Sequence, residues 1–367
     1  MKVITLIDSL IAAGAERMAV NIANGLSEAG IESHLCATHS GGPLEEFIAP
    51  DVRILILQKR SFMDYKALWK LRRYIRTHRI EILHAHSSSV FWAVLIKMLT
   101  PGLKVVWHDH YGYSDQLNER PRLALRVSAP FVDHAFVVND KLRDFAIRSL
   151  KFPPGKVSFL ANFADINTYS SQLALPELPS PEAYPKLVCL ANLRPQKDHH
   201  NLLNAFLVVK QAYPNAALYL VGGHFNDDYH NSIVTRIEND KALNGSVHVL
   251  GSRNDVADIL TNCHIGILSS LSEGLPVSLL EYGLAALPVV CTKVGDCEFV
   301  LDNGTFGKLV EPSNSQQLAD AIIRYASHSE EMTSSGQQLR THILRNFSKE
   351  GAIQNIKAVY SALYKTN

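Results

Sequence analysis

A chain of 367 residues is too long for one ordinary hydrophobic core, so two domains are expected. Lysine and arginine number 36 against 35 aspartates and glutamates, a net charge of +1 that provides no overall field for nucleic acid. Hydrophobic residues make up 47% and charged residues 19%, as in a well-packed globular protein, and the five scattered cysteines form no CxxC pair, which fits packed thiols in a reducing compartment.

The opening MKVITLIDSLIAAGA imitates a secretory leader until Asp8 breaks the apolar run at residues 3–7, so a first strand is expected there. Gly14 follows in SLIAAGAERM. The segment is not GxGxxG, which counts against an NAD-type site; a tight βα turn and a ligand-facing loop explain Gly14 equally well. Ala15, Met18, Ile22, Leu26 and Ala29 then recur at helical spacing, with Gly30 as the stop. Further strands are expected at 33–37, 53–57, 80–84, 104–108, 134–138 and 157–160, with helices between them.

Two segments of this half stand out. KRSFMDYKALWKLRRYIRTHR, residues 59–79, interleaves Phe62, Tyr65, Trp69 and Tyr74 with many cations and only Asp64 opposing. Such a face can seat a domain on an anionic membrane, although an ordinary surface helix explains it as well. His84-Ala85-His86 and His108-Asp109-His110 end two expected strands, and alternate residues point to one side of a strand. Two such pairs could chelate zinc. The two-domain layout argues against a metal-hydrolase barrel, and no metal is expected. The longest apolar run, 90–96, stops at Lys97, far short of the roughly 20 residues that span a bilayer. The expected location is therefore cytoplasmic, with a peripheral contact at the inner face of the membrane through 59–79.

Residues 170–185, SSQLALPELPSPEAYP, break the rhythm with four prolines and form the linker. Alternation then resumes, with strands expected at 187–191, 218–221, 247–250, 265–268 and 289–291. The fold class is α/β, with two Rossmann-like doubly wound parallel-sheet domains facing a cleft. The first domain covers 1–170, with a C-terminal helix at about 351–367 packing back on it, and the second covers 186–350. In such sheets ligands sit beyond the carboxyl ends of the strands.

The stretch SSLSEGLPVSLLEYGLAALPVV, 269–290, places Glu273 in a loop and Glu281 on the helix that follows. If all helical, eight residues would separate the two backbones by ~12 Å. That exceeds the roughly 5–9.5 Å of a glycosidase acid/base pair. The two carboxylates are better placed as clamps on one elongated ligand. Pro276 suits a first helical turn, and free N–H groups around Val277 and Ser278 make an anion site. An anion flanked by hydroxyl-accepting carboxylates suggests a sugar joined through phosphate to another sugar. Lys197, in a loop that also carries Arg194, is placed as an anion clamp. The plain alternatives are a capped helix with two solvated acids and a solvated loop lysine.

Glu273-Gly274-Leu275-Pro276 through Glu281, with AALPVVCTKVGDCEFV after it, resembles the EX7E signature of retaining glycosyltransferase family 4, which has the GT-B fold. VHVLGSRNDVADILTNCHIGILSSLSEGLP, LVCLANLRPQKDHHNLLNAF, LYLVGG and AAGAERM resemble its other motifs in the expected order. The resemblance implies that Glu273 bonds the donor sugar beside Gly274, Leu275, Pro276 and Val277, and that Glu281 holds the ribose. Lys197, with Arg194, would neutralise the departing diphosphate. Gly14, Gly222 and Arg253 complete the donor-binding set, and a histidine after the fifth strand contacts the sugar. Register leaves His108 and His110 open, with His110 nearer the loop.

The expected partners are a nucleotide-sugar donor, with uridine diphosphate a candidate nucleotide, and a glycan or lipid-linked acceptor of cell-surface polysaccharide synthesis. No cofactor is expected, and same-face attack would retain the anomeric configuration. Family members commonly carry arginine where this chain has Asn192. That departure keeps open a binding protein without turnover, beside the other rivals of a sugar-nucleotide epimerase or a phosphorylase on the same fold.

Overall fold

The computed structural model describes residues 1–11, 13–61, 63–113, 116–165, 178–224 and 226–365. The chain divides into two compact units, Met1–Phe163 with Lys349–Asn367, and Ala164–Ser348. Phe62 and residues 170–177 of the proline-rich stretch lie outside the described residues.

In the first unit the described strands are β1 (Lys2–Ser9), β2 (Glu32–Ser40), β3 (Arg53–Ile56), β4 (Ile82–His86), β5 (Lys104–Asp109), β6 (His134–Val137) and β7 (Val157–Phe159). They form a parallel sheet of order β3-β2-β1-β4-β5-β6-β7. The order reverses between β1 and β4, where a doubly wound sheet opens a crevice at its carboxyl edge. The helix Gly14–Glu28 follows β1 and ends at Gly30, whose φ of +78° is the left-handed turn that glycine adopts at little cost.

A Cβ on Gly25 would lie 2.7 Å from Ile353, so that helix is in close contact with the C-terminal helix Lys349–Lys365. The contact is reinforced by Lys349–Glu28 at 2.6 Å and by the wholly buried Tyr360, whose hydroxyl meets His84 Nδ1 at 2.6 Å. In Tyr65–His78, Ala67, Leu71 and Ile75 are buried at i, i+4 and i+8, while Asp64 accepts a hydrogen bond from Ala67 N as the cap.

The second unit holds β8 (Lys186–Leu190), β9 (Ala217–Val221), β10 (Val247–Gly251), β11 (Ile265–Leu268), β12 (Val289–Thr292) and β13 (Lys308–Val310), in the order β10-β9-β8-β11-β12-β13. Its core includes Leu187, Leu218, Leu220, Ile265 and Ile267 against Leu202, Phe206 and Ile322. The helix Val277–Leu284 is pinned to the sheet by Tyr282. That hydroxyl accepts from Leu190 N at 2.7 Å and donates to Ile267 O at 3.0 Å, and the ring leaves no room for a Cβ at Gly266.

All the strands expected from sequence are present, their ends shifted by up to three residues. β13 was not expected: an edge strand of three residues, two half-buried and one buried, is too short to show alternation. Pro276 is corrected by one position. It is the N-cap, with ψ 120°, and the helix begins at Val277. All five cysteines are free and buried.

Candidate active site

At the carboxyl edge of the second sheet, two loops are tied before any functional side chain appears. After β8, Leu193 N donates to Gly223 O at 2.9 Å and Gly223 N donates to Asn192 Oδ1 at 2.7 Å. A Cβ on Gly222 would lie 2.2 Å from Ala191 O, so glycine is needed for this close approach. Asn192 thus anchors the loop after β9. Beyond it, Arg194 precedes the single turn Pro195–Lys197, and Asp198 caps the helix His199–Ala212 through Asn201 N.

That turn locks onto the loop after β11. Leu271 N donates to Gln196 O at 2.8 Å, Gln196 Nε2 to Ser272 O at 2.7 Å, and Ser269 Oγ to Lys197 O at 2.9 Å. Lys197 Nζ meets Glu273 Oε1, which also accepts from Ser270 Oγ at 2.5 Å. Glu273 is 5% exposed, so its carboxylate is held by a cation and a hydroxyl away from bulk water. A third loop fixes its backbone. Gly295, at φ +52°, lies so close that a Cβ would sit 2.2 Å from Glu273 O, and Asp296 N donates to Gly274 O at 3.0 Å.

Gly274, Leu275, Pro276 and Val277 are buried and lead into the helix Val277–Leu284. The first amides of a helix have no intrahelical acceptor and carry the positive end of its dipole. Glu281, 5% exposed, lies on the same helix beside the anchoring Tyr282. Lys197, Arg194, Glu273, Glu281 and this helix start are therefore gathered in one unit. Arg253 follows β10 and forms a two-pronged ion pair with Asp255. Burial raises the Asp255 carboxyl, but the bonds from Arg253 outweigh it and hold it below the usual range.

Gly14 and His110 belong to the first unit, at the carboxyl edge of its sheet. A Cβ on Gly14 would meet nothing within 4 Å, so packing does not require glycine there. His110 follows β5 and hydrogen-bonds His86 Nδ1 through Nε2 at 3.0 Å, while His108 is wholly buried beneath it, ring centroids 3.9 Å apart. Burial pushes the imidazoles of His84 and His110 down to about 3, and those of His86 and His108 well below the usual histidine range.

Sequence reasoning missed Asp8. It sits near the end of β1, beside the reversal of strand order, and accepts from Thr38 Oγ1 at 2.7 Å, from Ser88 Oγ, and from Lys59 Nζ at 3.4 Å. A lone acid closing an apolar first strand was the available signal.

Residues 12–168 match the family described as Glycosyltransferase Family 4, and residues 184–328 match Glycosyl transferases group 1. The chain belongs to the glycosyltransferases. The UDP-Gal:alpha-D-GlcNAc-diphosphoundecaprenol alpha-1,3-galactosyltransferase of Escherichia coli is 21% identical over 337 residues, covering 87% of this chain and 86% of the relative. A phosphatidylinositol N-acetylglucosaminyltransferase subunit of Arabidopsis thaliana is 25% identical over 282 residues, covering 74% of this chain and 61% of the relative. HepE of Anabaena, solved in complex with UDP-glucose, has a TM-score of 0.80 at 20% identity, covering 99% of this chain and 100% of that one. The likeness shows the GT-B fold.

The helix His199–Ala212 of this glycosyltransferase carries a pH liability. His199, next but one to Lys197, is wholly buried, and burial pushes its imidazole down to about 3. Between that value and the ordinary 6.5, the unfolded chain takes up a proton that the folded chain refuses. Stability from this group is present above pH 6.5 and is lost as pH falls through the window. The slope is about 1.4 kcal/mol per pH unit per proton. His199→Gln should flatten the fall in unfolding free energy between pH 6 and 4 by up to one proton, read by urea titration at each pH. An unchanged slope would contradict the assignment.

Proposed function

We propose that this glycosyltransferase is a retaining enzyme that moves a sugar from a UDP-sugar to a lipid-linked glycan or lipid acceptor in cell-surface polysaccharide synthesis. The observation that supports this best is the Lys197–Glu273 pair beside the start of Val277–Leu284, with Glu281 on that helix. Negative charge grows on the diphosphate as the glycosidic bond to the donor breaks. Lys197, Arg194 and the helix amides are fixed positive groups that stabilise it without a divalent ion and without reorganisation during the step.

Glu273 accepts hydroxyl hydrogens of the donor sugar. Bonded to Lys197 and Ser270, it suits an orienting role better than that of a nucleophile, since a cation draws density from the attacking oxygen. Attack by the acceptor on the face the diphosphate leaves then retains configuration. Glu281 holds the ribose. The names of the relatives, a galactosyltransferase acting on a diphosphoundecaprenol-linked sugar and a phosphatidylinositol N-acetylglucosaminyltransferase subunit, favour a lipid-borne acceptor.

Assay with UDP-galactose, UDP-glucose and UDP-N-acetylglucosamine, offered with a sugar-diphosphoundecaprenol and no added magnesium, tests the proposal. Transfer with the anomeric configuration kept is expected, seen by proton NMR of the product. Donor hydrolysis alone, inversion, or UDP binding without turnover would reject it. In calorimetry Glu281→Ala should weaken UDP binding by about tenfold or more, the scale of a lost charged hydrogen bond. Unchanged affinity would remove Glu281 from the ribose role.

A lipid-borne acceptor calls for a membrane contact, and Tyr65–His78 supplies the chemistry. Met63, Tyr65 and Trp69 are exposed, as are Met98 and Leu99 on the neighbouring helix, to which Arg72 Nε is tied through Leu99 O. A depression of about 370 Å³ is lined by Trp69, Arg72, Arg73, Arg76 and Thr77. No helix among the described residues is long and apolar enough to cross a membrane. Each cation near an anionic surface contributes about 1 kcal/mol. Serine at Arg72, Arg73 and Arg76 together should therefore lower partitioning onto phosphatidylglycerol vesicles by about a hundredfold, measured by sedimentation. Equal partitioning of both proteins would sink this contact.

A further inference from the structure

We propose that His84, His86 and His108 form a binding site for one borderline divalent transition ion, zinc in the first place, inside the first unit. It lies in the other unit from the Lys197–Glu273 pair. β4 and β5 pair in register with His86 opposite His108; His84 lies two residues before His86 on the same face of β4, and His110 follows just past the end of β5, its ring stacked on that of His86. Four imidazoles thus crowd one side of two adjacent central strands. His84, His86 and His108 are each 0% exposed, and their ligand nitrogens lie within 4.8 Å of one another. A point serving three atoms at that separation is at most about 2.8 Å from each, and zinc–imidazole bonds are about 2.0–2.1 Å. Closing the difference takes at most about 0.8 Å of movement per ring.

The hydrogen bonds favour the same conclusion. His84 Nδ1 is bound to Tyr360 and His86 Nδ1 to His110, which leaves Nε2 of both rings unbonded. Those two nitrogens, and both of His108, are buried and have no hydrogen-bond partner among the described residues. An unsatisfied buried imidazole nitrogen costs roughly 1–3 kcal/mol, so leaving several together is an unusual expense for a core. A metal-ligating histidine normally has its second nitrogen fixed by an outer partner, and Tyr360 and His110 do that here. With imidazole donors and no thiolate, the set suits zinc, cobalt, nickel or copper rather than magnesium or calcium. His110, only partly buried, marks the side from which an ion enters. The bound ion would brace β4 to β5 and, through Tyr360, the C-terminal helix.

The test uses the full chain, stripped with chelator and titrated with Co²⁺. One equivalent with a visible d–d spectrum of low-symmetry nitrogen coordination, displaced by Zn²⁺, is expected. Zinc should raise Tm by several degrees. His108→Phe, which fills the space with a ring of similar size, should abolish the spectrum, whereas His224→Ala at the separate His224–His230 stack should not. Should His108→Phe fail to fold, crystals of the unaltered protein soaked in zinc decide by anomalous scattering at the zinc edge. A peak among His84, His86 and His108 supports the site; a peak only elsewhere, or none, overturns it.

Discussion

Replacing Lys197 with alanine should lower kcat by about 10²–10³-fold, the scale seen when a fixed positive group is removed from a site of developing charge. The physical basis is positional. Lys197 sits on a turn held by two hydrogen bonds to the loop after β11 through Gln196 and one through its own carbonyl, so its ammonium is oriented before substrate arrives. Such preorganisation is what makes the group matter more in the transition state than in the ground state.

The variant has a second effect that must be separated from the first. Glu273 is buried, and losing its cation leaves a carboxylate held by Ser270, so stability falls as well. Pairing Lys197→Ala with Glu273→Gln removes the uncompensated charge. The double variant should regain most of the lost Tm while kcat stays low. Recovery of kcat along with Tm would mean that Lys197 acts only through folding, and an undiminished kcat in the single variant would remove it from the leaving-group role.

Gly295→Ala should cost more activity than its size suggests, with kcat/KM lowered by about tenfold or more. Alanine at φ +52° carries about 1 kcal/mol of backbone strain, but the larger difficulty is the new methyl, 2.2 Å from the carbonyl oxygen of Glu273. A backbone atom cannot rotate aside, so the Glu273–Gly274 loop itself must shift, and misplacement of about 1 Å at a site can cost ~10²-fold. Gly304 supplies the control. Its φ is +93°, yet the nearest atoms a Cβ there would meet are Leu309 Cδ1 at 3.5 Å and Gly307 O at 3.6 Å, ordinary contacts. Gly304→Ala should lower Tm without the matching loss in kcat/KM. Equal losses of activity in the two variants would show that strain alone, not displacement of the loop, is responsible.

The sheets were legible because strands covered on both faces read as unbroken apolar runs, and because each is followed by a helix with period 3.6. The errors have definite causes. β4 was expected at 80–84 and lies at Ile82–His86, because Ile80 is apolar yet closes the preceding helix, its N–H bonded to Ile75 O. His84 and His86 were expected at the end of a strand, and the fold buries both completely within β4. Glu273, Glu281 and Lys197 could each be named from motif and spacing. That Lys197 bonds Glu273 across 76 positions, or that His84 bonds Tyr360 across 276, could not, since such pairings depend on how sheets and helices stack rather than on local pattern. Gly295 was invisible for the same reason.

The return of Lys349–Lys365 to the unit that begins the chain has a consequence for biosynthesis. On a ribosome, everything needed by Ala164–Ser348 has emerged while the unit that started first still lacks the helix that packs on Gly25 and bonds His84. Vectorial synthesis usually lets the amino-terminal domain mature first. Here the part translated later can finish earlier, and the hydroxyl that bonds His84 is supplied only when Lys349–Lys365 arrives.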